Sequence, residues 1–120
     1  MSDTINLKDE LEDIVDQLRA QHVAADVDRD KVALPGVWVT IAGVSLDGLG
    51  FYTVHALLIV LAGENTPTVW LGKADEVANK VLALWNPEGD LTPVTVTRAG
   101  TALPGLSIPV DFRCEYQGDQ

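Results

Sequence analysis

Asp26, Asp28 and Asp30 alternate along a polar stretch with the spacing that opens a calcium-binding EF-hand loop. The match stops there. Lys31 stands where the loop needs a glycine for its sharp turn, and Val37 where it needs a bidentate glutamate. The stretch reads instead as a solvated acidic loop. His22, His55 and Cys114 could ligate a metal, but no pair has the short spacing of a zinc site. Sequence separation does not forbid a Cys–His nucleophilic pair. Cys114, however, lies in phase with Ile108, Val110 and Phe112, which favours a core thiol. Gly43-Val44-Ser45-Leu46-Asp47 begins like a nucleophile elbow and lacks its final glycine. Gly43, Gly48 and Gly50 precede no Gly-Lys-Ser/Thr, so they form no phosphate loop, and no dinucleotide fingerprint occurs. No catalytic constellation, metal site or cofactor motif is read, and the chain is expected not to be an enzyme.

The elements that would carry such residues follow from hydrophobic period. Leu7, Leu11, Ile14, Val15 and Leu18 form one helical stripe, with Asn6 as N-cap and Asp9 three positions on. Asp9, Glu10, Glu12, Asp13 and Asp16 occupy the other faces of that helix. Residues 21–33 read as a polar connection, and Val37–Ile41 as a strand. A turn at residues 46–50 leads into Phe51–Leu61, apolar on both phases and therefore central. Gly63-Glu64-Asn65 breaks the strand. Thr66-Pro67 can cap a second helix whose stripe runs from Trp70 to Trp85, although Gly72 argues for a start nearer Lys73. Val94–Thr97 is a short strand, residues 98–105 a hairpin loop, and Leu106–Tyr116 a strand with Leu106, Ile108, Val110, Phe112, Cys114 and Tyr116 on one face. Pro109 requires an edge or a bulge there. The expectation is a single α+β domain over residues 1–120, in the order α-β-β-α-β-β, with an antiparallel sheet and both helices on one face.

Composition narrows the function classes. Eighteen acidic residues against eight basic ones give a net charge of −10. That charge opposes stable binding to nucleic-acid phosphates or anionic membranes. Nine of the acids lie in residues 1–30, so the front of the protein is an acidic surface. One cysteine permits no intrachain disulfide, and no signal peptide is read; the cytoplasm is the expected compartment. The longest apolar run, Ala56–Ala62, is too short to span a bilayer. Trp70 and Trp85 fall on the helical stripe and read as core. Trp38 lies out of phase with Val37, Val39 and Ile41, which makes both sheet faces apolar and suggests a protein partner. Trp38, Thr40, Tyr52 and His55 are the candidate interface.

Several local wordings, taken together, resemble the tail terminator proteins of long-tailed bacteriophages, particularly those infecting actinobacteria. They are Asp16-Gln17-Leu18-Arg19-Ala20 at the end of an acidic helix, Leu34-Pro35-Gly36-Val37-Trp38-Val39, and His55-Ala56-Leu57-Leu58-Ile59-Val60. A helix around Ala74–Trp85 and Leu103-Pro104-Gly105 before the last strand complete the set. The resemblance covers nearly the whole chain and rests on element order and size. It implies a homo-oligomeric ring, typically a hexamer, at the head-proximal end of the tail tube in the virion. Its partners would be further copies of itself, the major tail tube protein and the head–tail connector proteins, with DNA only as a transiting genome. Asp9, Glu12, Asp13 and Asp16 would then face the lumen or a partner. Another neck protein (a head–tail connector or head-completion subunit) is the alternative within the virion. Outside it stands a protein-interaction or small-molecule-binding module.

Overall fold

The computed structural model describes residues 3–47, 50–63 and 66–118. Its elements are β1 (Asp3–Thr4), α1 (Leu7–Ala20), β2 (Ala24–Asp26), β3 (Gly36–Leu46), β4 (Phe51–Leu61), α2 (Pro67–Leu84), β5 (Thr92–Arg98), β6 (Thr101–Glu115) and β7 (Gln117–Gly118). The fold is α+β, with a five-stranded sheet in the order β2-β3-β4-β6-β5 and a small β1-β7 pair. All neighbours in the main sheet are antiparallel except β2 and β3, so the sheet is mixed. Parts of the turn at 46–50 and of the break at 63–65, namely Gly48, Leu49, Glu64 and Asn65, lie outside the described residues.

Both helices lie on one sheet face because both carry one apolar stripe and the sheet offers one unbroken apolar phase. Ile14, Val15 and Leu18 of α1 and Ala74, Val77, Ala78 and Val81 of α2 are buried against Val37, Val39, Tyr52, Val54, Ala56, Leu58, Val60, Ile108, Val110 and Cys114. Trp70 and Trp85 pack half-buried at the rim of this core, Trp85 edge-on to Phe112 at 5.3 Å. Asn6 caps α1 without a side-chain bond to the helix backbone; its amide donates to Asp9 Oδ2 at 2.8 Å. The second helix starts at Pro67 rather than near Lys73. Proline at the first position presets the turn, and Gly72, with nothing within 4 Å of where its Cβ would stand, lies on a face that needs no packing.

Pairing lengthens the strands beyond their apolar cores. β5 and β6 meet at a two-residue turn, Ala99-Gly100, with φ of 50° and 78°, the doubly positive geometry of a tight hairpin. Residues 101–105, expected as loop, are therefore strand. Pro109 sits where β6 has β4 on one side and has run past the end of β5. Its carbonyl points outward and accepts from Glu88 N–H at 2.8 Å, so the N–H that proline lacks would also have pointed away from β4.

The connection expected as merely polar contains β2 and a structured loop, residues 27–35. Asp26 Oδ1 accepts from Asp28 N–H and Asp28 Oδ1 from Asp30 N–H, both at 2.9 Å, so two of the three aspartates fold their own backbone. The loop then crosses the face opposite the helices. Trp38 Nε1 donates to Val27 O at 3.1 Å, and Arg98 donates to Val32 O at 2.7 Å and Asp30 O at 3.1 Å. Val32 is fully buried. Beneath lies a second apolar cluster of Ile59, Leu61 and Val96, with Trp38, Leu57 and Val94 at its edge. The second apolar phase seen in the sequence is thus met, at Trp38 and toward Arg98, by the protein's own loop.

Candidate functional site

The rest of that face is polar, and the bulge in β3 makes it so. Trp38 and Thr40 face away from the helices, opposite Ile59 and Leu57. The register shifts between Ile41 and Gly43, leaving Ala42 unpaired and exposed. After the shift Gly43 stands opposite His55 and Ser45 opposite Thr53, while Val44 turns to the core side. Were Ala42 paired in regular register instead of bulged, Val44 would face outward and Ser45 inward.

His55 is paired with Asp111 of β6 on its other side. Its Nε2 lies 2.6 Å from Ser45 Oγ and its Nδ1 2.7 Å from Asp111 Oδ1. An ionised carboxylate only accepts, so Nδ1 carries the proton, Nε2 is the acceptor, and the Ser45 hydroxyl donates to it. The ring lies across β3 beside Gly43, where a Cβ would stand 4.0 Å from its Cδ2, an ordinary contact. The His55 and Asp111 side chains are 38% and 33% exposed. Beside the row, Arg113 lies 4.2 Å over the Phe51 ring and 3.4 Å from Asp47 Oδ2.

Ser–His–Asp connectivity of this kind is that of nucleophilic hydrolases, in which the carboxylate orients the imidazole and the imidazole takes the hydroxyl proton. The setting differs. The row lies on an open sheet face, whereas the 310 Å³ groove lined by Glu12, Val15, Asp16, Arg19, Asp26 and Val27 is formed between α1 and β2 with its following loop.

Of the four candidate interface residues, Trp38, Thr40 and His55 share the face opposite the helices, each half-buried. Tyr52 does not belong with them. It is in the other phase of β4, fully buried in the main core, where its hydroxyl accepts from Asn6 N–H at 3.3 Å. Asp9, Glu12, Asp13 and Asp16 are all exposed along α1. Cys114 is buried and donates to Glu10 Oε2 at 3.2 Å; burial, then that hydrogen bond, pushes its thiol up to about 12. Among the described residues no three His, Cys, Asp or Glu side chains are grouped to hold a metal, and no helix is long and apolar enough to cross a membrane.

Ser45 and Asp111 were missed as site residues. Asp111 was visible on the polar phase of its strand, but nothing local marks the bulge that brings Ser45 to the same face. Compared with known proteins, the chain matches no family model, no curated protein and no solved structure.

Proposed function

We propose that this chain is a structural subunit of a phage tail: a tail terminator that closes into a ring at the head-proximal end of the tube, stops its polymerisation and joins tail to head. The observation that carries the reading is a sheet with an unpaired edge on each side among the described residues. On one, β2 pairs only with Gly36–Trp38, so Val39–Leu46 hydrogen-bond to no other outer strand among the described residues. On the other, β5 is the last strand. Leu46, at the tip of the first free edge, is 67% exposed. Unlike edges on one subunit make a head-to-tail contact, which closes into a ring when the rotation per subunit divides a full turn. Unpaired strand edges supply the backbone hydrogen bonds for such a contact.

The exposed carboxylates of Asp9, Glu12, Asp13 and Asp16 suit a lumen through which DNA must slide without being gripped. Light scattering over a concentration series, with negative-stain images in the presence and absence of tail tubes, tests the reading. A ring of about six subunits, alone or on the tube tip, supports it. Monomer under both conditions overturns it.

A further inference from the structure

We propose that Ser45 is a nucleophile, with His55 as its general base and Asp111 positioning the imidazole, and that it takes the acyl group of small activated esters. Three observations carry this independently of any assembly role. The two hydrogen bonds, 2.6 and 2.7 Å, use opposite nitrogens of one ring, so only one neutral tautomer satisfies both, and it is the tautomer that accepts the serine proton. The three residues come from three adjacent strands of a rigid sheet, which holds the geometry better than a loop would. The bulge at Ala42 sets Ser45 on the same face as His55, opposite Thr53, where the hydroxyl and the ring meet.

In the reaction Ser45 Oγ bonds to the ester carbonyl carbon as its proton passes to His55 Nε2. The bond from that carbon to the leaving oxygen breaks, and the leaving oxygen takes the proton from Nε2. Water then repeats the sequence, releasing the acid and restoring the serine hydroxyl. The open face offers no enclosing wall around the acyl group, so reactivity and small size select the ester rather than shape. The strongly acidic chain further disfavours anionic esters.

The test is stoichiometric labelling of the intact protein with a fluorophosphonate probe, which phosphonylates activated serines, followed by peptide mapping. The expected result is one adduct, on Ser45, absent in Ser45→Ala. His55→Gln should slow labelling roughly 100-fold, the scale of a general base. Asp111→Asn should slow it too and abolish the downfield NMR resonance of the His55 Nδ1 proton, with Asp111→Glu restoring part of both. Circular dichroism and melting of each variant establish that it is folded. No adduct on folded wild-type protein, or an adduct on Ser45 that forms as fast in folded His55→Gln, overturns the proposal. Ring formation is measured separately, so either result leaves the assembly reading standing or falling on its own test.

Discussion

The Arg98 guanidinium, on the last strand of the sheet, donates to the carbonyl of Val32 at 2.7 Å, in the loop that leaves the first. Its second nitrogen reaches Asp30 O at 3.1 Å. One side chain therefore ties the crossing loop down over Ile59, Leu61 and Val96. Replacing Arg98 by Ala should cost about 1.5–3 kcal/mol, the range for hydrogen bonds to charged groups, most of it from the part-buried bond to Val32 O. A urea titration should show a lower midpoint, and an apolar dye should bind the variant more strongly as the second cluster opens.

The bulge makes a sharper prediction. Deleting Ala42 would let β3 and β4 pair continuously, with Gly43 still opposite His55, Val44 opposite Val54 and Ser45 opposite Thr53. The variant should stay within about 1 kcal/mol of the parent in a urea titration, because no side chain changes face. The resonance of a proton shared between His55 and Asp111 and the labelling of Ser45 should both persist.

Cys114 and Tyr52 govern behaviour in base. The Cys114 thiol is raised to about 12 from 9.0, chiefly by burial, and Tyr52 is raised above 10.0, again chiefly by burial. Each proton is held more tightly in the folded protein than in the unfolded chain. The associated stability is therefore present below about pH 9 and lost as pH rises toward 12. Denaturation midpoints should fall across that window, less steeply in Cys114→Ala. At pH 8 an aromatic disulfide reagent should leave the native thiol untouched and titrate it fully in denaturant.

Leu46 separates folding from assembly. It is 67% exposed, so Leu46→Lys should change the stability of the monomer by no more than about 0.5 kcal/mol. On the proposed free edge the added charge should block ring closure, read as loss of the large species in light scattering.

Much of the fold was legible because its apolar residues repeat with the period of their element. Ile14, Val15 and Leu18 on α1, and Ile108, Val110 and Cys114 on β6, are buried where the stripes placed them. What escaped reading depends on partners distant in the chain. β2 is three residues long and is a strand only because Gly36–Trp38 lie beside it. The loop after it is charged from Asp28 to Lys31, yet Val32 is fully buried and the loop's carbonyls accept from Trp38 and Arg98 on the face opposite the helices. Tyr52 and His55 were grouped because Phe51–Leu61 is apolar on both phases, and alternation alone does not say which phase meets the helices. The Ser45–His55–Asp111 row needed the register of three strands and a one-residue irregularity. Ser45 stands out in its own segment only as part of an incomplete nucleophile elbow, His55 only as one of two histidines, and Asp111 not at all.

The burial of Cys114 has a practical side. It is the chain's single sulfhydryl, and α1 closes over it. A cysteine introduced at Thr40 on the open face, or at Asp13 on the acidic helix, would be the lone accessible attachment point for a spin label or fluorophore. Signals from such probes would report on one chosen surface without background, so the two faces of this small protein can be interrogated separately as it meets copies of itself.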